Sequence, residues 1–324
     1  MAHADLRSPP LETARQFLNE NMNLTPGVCE LVLMYANSSS LYAVGGRDEL
    51  YRCTASVEKY DSLQNKWTAV ATMSTKRCWH GVAVLDGALY AVGGYDGNNL
   101  LASVEKYDPV TNKWLAVAAM GAERYDHGVA ALDGMLYVVG GQTKCDNCYN
   151  HLASVEKYDP DQNEWTAVAS MGTERRNLGV AMLDGALYAV GGIDGRNVLS
   201  SVEKYDPVQD KWTLVAPMGT GRYYHGVAAL DGMLYAVGGR DGINTLASVE
   251  KYDPVQDKWT AVTIMDPKRS NFSVVALDGA LYAVGGFDGR NAFASGKKYD
   301  PAQDKWTAVA EMGIKRCSHD VAVL

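Results

Sequence analysis

An all-β, six-bladed propeller with four antiparallel strands per blade is the fold class this sequence predicts, and three observations carry the prediction. Gly-Gly pairs begin at residues 45, 93, 140, 191, 238 and 285, spaced 48, 47, 51, 47 and 47. Trp67, Trp114, Trp165, Trp212, Trp259 and Trp306 keep the same interval, as do Met73, Met120, Met171, Met218, Met265 and Met312. Fixed-period self-similarity marks a repeat architecture, in which one unit cannot bury its apolar faces alone. The third observation is the content of each unit: four short β-rich runs divided by turn residues, none long enough for a helix.

Residues 77–120 show a full unit, "RCWHGVAVLDGALYAVGGYDGNNLLASVEKYDPVTNKWLAVAAM". Strand a is "GVAVL". The Asp-Gly after it is a tight hairpin signal, because glycine takes positive φ freely. Strand b is "ALYAVGG", strand c "SVEKYD" and strand d "KWLAV". Tyr and Trp on strands b to d supply large packing surfaces between blades, and the glycine pair admits a neighbouring chain where a side chain would clash. Closing six such sheets into a ring hides every face against a neighbour.

Blades 2 to 6 are expected at 77–120, 124–171, 175–218, 222–265 and 269–312. Blade 1 is split. Residues 41–73 supply its strands b to d, and the tail 316–324, "RCSHDVAVL", supplies strand a. Without it blade 1 would leave backbone groups unpaired and a bare face toward blade 6. "VCELVLMYA" at 28–36 is the rival strand a, but it places Cys29 at the repeated Arg and Leu33, Met34 and Tyr35 where the other units have Gly, Val and Ala. Residues 1–40 are therefore expected to be an N-terminal extension outside the ring, disordered or with a short helix over 11–20. Deleting 1–36 should be tolerated and deleting 313–324 should not.

The 324 residues are 47% hydrophobic and 21% charged, a globular composition. With 38 acidic against 30 basic residues the formal charge is -8, which argues against nucleic acid as a partner, since that affinity comes from Lys and Arg displacing counterions. No signal-peptide core and no bilayer-length apolar stretch is present, so no membrane partner is expected and the chain reads as cytoplasmic, with cytoskeleton or nucleus as further sites. The six cysteines show no regular pairing framework and read as free thiols; Cys78 and Cys317, at matching register, are the alternative redox pair.

The Gly-Gly ending of strand b, the "YD" about a dozen residues on and the Trp beyond it resemble the kelch repeat from residue 41 to 324. The form "RxxxGVAVLDGxLYAVGGxDG" followed by "SVEKYDPxxDKW" is most similar to the propellers of BTB-kelch proteins. That resemblance implies a non-catalytic module that binds a protein segment, as the substrate-recognition part of a cullin ubiquitin ligase adaptor or as an actin-associated protein. The N-terminal 40 residues depart from it, being too short for BTB and BACK domains. A truncated copy of a longer chain is one reading of that.

Comparing the six units separates fixed from variable positions. The a-to-b turn is Asp-Gly in all five complete cases and the c-to-d turn stays close to "YDPxQDKW", so the face they share reads as scaffold. The opposite face, built by the d-to-a approach and the b-to-c loop, varies. It carries Trp79, Tyr125, Asp126, Arg176, Asn177, Tyr223, Tyr224, Ser270, Asn271 and Ser318 after the repeated Arg. It also carries Arg47, Tyr95, Gln142, Ile193, Arg240 and Phe287 after Gly-Gly, with Tyr51 and Tyr149 further along those loops. Unconstrained drift would not favour Tyr and Trp, whereas binding hot spots are rich in aromatics and Arg. The resembling family uses the same two loop types as a peptide-binding mouth.

Other constellations have plainer explanations. Arg77, Arg124, Arg175, Arg222, Arg269 and Arg316 recur once per blade, and a fixed register favours a fixed acceptor, such as the Glu of "SVEKYD", over an anion-reading ring. Lys297 replaces that Glu in blade 6 and tests the idea. His80, His127, His225 and His319 share a register, and three His can make a zinc site, yet no accompanying carboxylate or thiolate motif exists and polar packing is favoured. Cys145, Cys148 and His151 resemble half a zinc site but read as part of a protruding contact loop. No cofactor or metal is expected, and no GxSxG, HExxH or P-loop motif is present. The alternative function is a channel-centred small-molecule or metal-dependent enzyme, as some kelch-type propellers are.

Overall fold

The computed structural model describes residues 39–145 and 148–324. Among the described residues the chain is all-β: six four-stranded antiparallel sheets and one two-stranded hairpin. Blade 2 is representative, with strands a to d at Gly81–Leu85, Ala88–Val92, Val104–Asp108 and Lys113–Val117 in that spatial order. Its Asp86 and Gly87 have φ of 48° and 70°, the two positive values a two-residue type I′ turn needs, and Leu85 faces Ala88 across it. Strand b is buried throughout, while strand d is exposed at Lys113, Leu115 and Ala116. No helix among the described residues is long and apolar enough to cross a membrane.

Blade 1 joins the two ends of the ring. Leu41–Val44, Val57–Asp61 and Lys66–Val70 form strands b, c and d, and Asp320–Val323 adds strand a. The register runs from Leu41 opposite Val323 to Val44 opposite Asp320. Ser40 extends the ladder by one residue, exchanging backbone hydrogen bonds of 2.7 and 2.9 Å with Leu324. The rest of the expected extension, residues 1–38, with its helix and the rival strand, lies outside the described residues.

Three interlocks repeat around the ring and close on themselves. Each strand-b tyrosine packs on the strand-c tyrosine of the next blade, as in Tyr90 on Tyr158 at 5.9 Å, and Tyr282 on Tyr60 closes the set at 5.9 Å. Each strand-d tryptophan donates its indole N–H to a backbone carbonyl of the blade before: Trp114 to Ala71 at 2.9 Å, and Trp67 back to Ala310 at 3.0 Å. Buried tyrosines and tryptophans bring much apolar area and need a partner for their polar ends, and this arrangement supplies both. Beside each contact an Asn or Asp carboxamide or carboxylate accepts from the Tyr hydroxyl and from a neighbouring blade's N–H, as Asp257 does from Tyr252 and Ala216.

The third interlock is the repeated arginine, which has no exposure in five blades and 1% in the sixth. Arg175 donates to Glu203 at 3.0 Å, to the carbonyls of Gly191 and Ser201 at 2.9 Å each, and to the Ser201 hydroxyl at 2.8 Å. Arg77, Arg124, Arg222 and Arg316 pair likewise with Glu105, Glu156, Glu250 and Glu58. Blade 6 departs from this at Lys297. Arg269 keeps only Gly285 O at 2.8 Å, Ser295 O at 2.9 Å and the Ser295 hydroxyl, and its guanidinium lies 4.9 Å over the Phe293 ring. Burial with no carboxylate beside it draws Arg269 down to about 10. Glu250→Ala, which strands Arg222 as an unpaired buried charge, is expected to cost about 3–5 kcal/mol in denaturant unfolding. Lys297→Ala should stay within about 0.5 kcal/mol.

The glycine pair is needed for the ring. A Cβ on Gly46, at φ +93°, would come within 2.5 Å of His319 Cβ and 2.8 Å of Cys317 O, in the segment that leads into strand a of its own blade. A Cβ on Gly45 would meet Arg77 O at 2.6 Å, in the segment that leads to the next blade.

Candidate functional site

The variable face is organised around one backbone girdle. Trp79, Asp126, Asn177, Tyr224, Asn271 and Ser318, one per blade, all take φ between 53 and 56°. The N–H of each donates to the carbonyl of the one before: Asp126 to Trp79 at 3.0 Å, Asn177 to Asp126 at 2.8 Å, Tyr224 to Asn177 at 3.0 Å, Asn271 to Tyr224 at 2.9 Å and Ser318 to Asn271 at 2.8 Å. Trp79 completes the circle by donating to Ser318 at 2.9 Å. Asn and Asp tolerate this left-handed conformation, whereas Trp and Tyr adopt it at a cost, so their presence here is not explained by the backbone.

On the girdle stands an arc of touching rings. The Arg47 guanidinium lies 3.8 Å over Trp79; Trp79 packs on Tyr95 at 6.0 Å and on Tyr125 at 5.9 Å; Tyr125 packs on Tyr149 at 6.2 Å. Tyr149, 61% exposed, belongs to the extra hairpin formed by Gln142–Cys145 and Cys148–His151, which the sequence suggests only as a long loop. Elsewhere on the same face Tyr51, 51% exposed, meets Phe287 at 6.2 Å, and Tyr223 meets Tyr224 at 5.1 Å. Arg176, Ile193, Arg240, Asn271 and Ser318 are half-buried there.

Four of the expected contact residues are placed beneath this surface. Ser270 has no exposure and sits against the Phe287 carbonyl at 3.3 Å, so it cannot meet a partner directly. Gln142, Asp126 and Asn177 are buried. Gln142 donates to Asp126 at 3.1 Å, and Arg176 donates to Asn177 at 3.1 Å. Burial pushes the Asp126 carboxyl up to about 6, against the opposing pull of Asn177, Arg176, Gln142 and Arg47. These polar groups hold the floor of the mouth in place. Periodicity could not separate floor from surface, because both fall at the same repeat positions.

Below the girdle a channel of about 490 Å³ runs between the six strands a. His80, His127, His225 and His319 line it at 5–6% exposure. His127 places Nε2 3.1 Å from the Val92 carbonyl, and burial holds His127, His225 and His319 down at about 3, so they are neutral imidazoles in a packing role. Leu178 and Phe272 fill the same register in the other two blades. No group of three or more His, Cys, Asp or Glu is arranged to hold a metal among the described residues.

Two further channel residues escape a reading by periodicity. Asp320 and Ser273 occupy the position that is Gly81, Gly128, Gly179 and Gly226 in the other blades. The Asp320 carboxylate accepts from the Ser273 hydroxyl, from Val82 N at 2.7 Å and from Val321 N at 2.9 Å, tying strand a of blade 1 to both neighbours. The signal that could have found them is the change from "GVAVL" to "DVAVL" in the tail and to "SVVAL" in blade 6.

The cysteine expectations need correcting. Cys53 and Cys78 are joined as a disulfide with Cα atoms 5.4 Å apart, and Cys317 is free and buried. Cys78, which shares its register with Cys317, is bonded to Cys53 and not to Cys317. In the long hairpin Cys145 is opposite Cys148, while His151 is opposite Gln142 at the other end of the ladder, so register sets His151 apart from the two cysteines.

The KLHDC2/KLHL20/DRC7 Kelch-repeats domain matches residues 19–177 and 122–286, and the Kelch motif matches 268–313. Kelch-like protein 28 of Homo sapiens is 37% identical over 157 residues, 48% of this chain and 20% of that protein. Kelch-like protein 26 of Mus musculus is 48% identical over 158 residues, 48% of this chain and 26% of that one. Alpha-scruin of Limulus polyphemus is 29% identical over 162 residues, 48% of this chain and 18% of that one. The matches thus span between 18% and 26% of these relatives' lengths. The solved structure of YjhT superposes with a TM-score of 0.69 at 17% identity, over 82% of this chain and 96% of that one, a likeness of fold.

Proposed function

This chain belongs to the kelch-repeat family, whose domain and motif match it over residues 19–286 and 268–313, and from that premise we propose that its girdled face captures an extended segment of a partner protein. The observation that carries the reading is the arc Arg47–Trp79–Tyr95–Tyr125–Tyr149, touching rings that cross three blades on the variable face. Flat aromatic surface of low conformational entropy, with Arg176 near Tyr125 and Arg240 beside Tyr223 on the same face, suits a segment with apolar and acidic side chains. The chemistry is recognition. The captured protein is presented to a cullin ubiquitin ligase or held at actin structures, and the ligase route requires a cullin-binding domain on this polypeptide or on a second chain.

The triple variant Trp79→Asn, Tyr224→Asn, Arg240→Ala tests it. Asn already occupies the girdle position at Asn177 and Asn271, so the backbone is spared. Affinity purification with quantitative mass spectrometry should show specific partners reduced on the order of a hundredfold, as loss of several hot-spot residues implies. Unchanged recovery from a variant with parental melting would sink the assignment.

A further inference from the structure

Resting on the mouth reading above, we propose that Cys53 and Cys78 form a reversible thiol–disulfide site that sets the rigidity of the Arg47–Trp79 corner. The repeat provides the argument. Cys53 and Cys78 are 25 residues apart, and the same spacing relates Leu100 to Tyr125, Val198 to Tyr223, Thr245 to Ser270 and Ala292 to Cys317. In each of these blades the first residue lies across from the residue after Gly-Gly, as Leu100 does from Tyr95, Val198 from Ile193, Thr245 from Arg240 and Ala292 from Phe287. The second follows an Arg whose N–H bonds back to the loop, as Arg77 does to Thr54 O at 3.1 Å and Arg124 to Leu101 O at 3.2 Å. The fold therefore brings these two positions together in repeated fashion, and only the junction of blades 1 and 2 has cysteine at both.

Its location gives the bond a consequence. Cys53 pairs with Arg47, and Cys78 immediately precedes Trp79, the ring beneath the Arg47 guanidinium. The staple thus joins the two backbone supports of one stack, and Trp79 is also a girdle residue. Cys317 is a control supplied by the chain itself: it holds the Cys78 register but its mating position is Ala292. Cys53, 8% exposed against 0% for Cys78, is the thiol an oxidant reaches first. A hydroperoxide converts it to sulfenic acid with release of an alcohol or water; the Cys78 thiolate then attacks that sulfur, forming the S–S bond and releasing water. A dithiol reductant returns both thiols by exchange, itself becoming oxidised.

The test uses the full chain without any partner. Reduced protein treated with hydrogen peroxide should yield a cross-linked Cys53–Cys78 peptide on mass spectrometry, with Cys317 alkylated after denaturation. Amide exchange over residues 47–54 and 77–80 should be slower in the oxidised form, on the order of tenfold, since the cross-link restricts local opening. Cys53→Leu, which borrows the residue at the matching position 100, should melt like the reduced parent and show no peroxide response. A Cys78–Cys317 link, no link, or equal exchange in both forms would overturn the proposal. Because no partner enters the experiment, its failure leaves the mouth assignment standing, and failed partner capture leaves the staple untouched.

Discussion

Deleting residues 313–324 is expected to give an insoluble or non-cooperatively unfolding protein. The deletion removes strand a of blade 1 and Arg316, which donates to Glu58, to the Gly45 carbonyl at 2.9 Å and to the Ser56 carbonyl at 3.2 Å. It also opens the girdle at Ser318 and removes the Asp320 carboxylate that spans to Val82. Glu58 is left buried without its cation, which alone costs about 3–5 kcal/mol. Most domains hold only about 5–15 kcal/mol in total. The milder Arg316→Ala keeps the strand and should lower the melting temperature on the order of 10 °C. A soluble deletion protein with the parental melting temperature would show that the ring does not depend on its clasp.

Mild acid should destabilise this protein, because four imidazoles are buried neutral. Burial holds His127, His225 and His319 at about 3, and His80 well below its ordinary value. Above about pH 6.5 a histidine is neutral in both states and its shift has no effect on stability. As pH falls below that, the unfolded chain takes up protons that the native state refuses, so native stability is lost. At pH 5 each of His127, His225 and His319 contributes a loss of about 2 kcal/mol, about 6 for the three, and His80 acts in the same direction. Asp126 and Asp320 act in the opposite sense: with native values raised to about 6, they bind protons first in the folded state, restoring at most about 1.4 kcal/mol each between pH 6 and 5. A net loss of about 3 kcal/mol remains from these groups, a large fraction of the stability of about 5–15 kcal/mol that most domains hold. Denaturant unfolding at pH 7 and pH 5 measures it, and His127→Phe, which copies Phe272 of blade 6, should recover about 2 kcal/mol of the histidine loss. A stability curve flat between pH 7 and 5 would contradict this picture.

The two expectations rest on features that were legible to different degrees. Blade count, strand order and the clasp could be read from repeat positions, because a unit copied six times reveals which residues its backbone requires. The arginine pin was legible for the same reason: Glu and Arg recur in step, and Lys297 marks the blade where the pairing lapses. Girdle and mouth were harder. Trp79, Asp126 and Ser270 fall within two sequence positions of a repeated Arg, yet one carries a stacked guanidinium, one is a buried carboxyl and one is sealed beneath Phe287. Those differences arise from which neighbouring loop leans over each residue, and the leaning loop belongs to another blade.

The disulfide and the Asp320 bridge show the same division. Comparing units can flag Cys78 and Asp320 as departures but cannot say what they face, since Cys53 reaches Cys78 across a loop and Val82 reaches Asp320 from the next blade. By itself the sequence determined the period, the four-strand unit and the strand that shuts the ring, all of them set by local hydrogen bonding and side-chain alternation along the chain. Only the tertiary structure decided which variable residues form the surface, which form its floor, and which cysteines meet. Those outcomes depend on contacts between blades, where distance along the chain carries no information about distance in space.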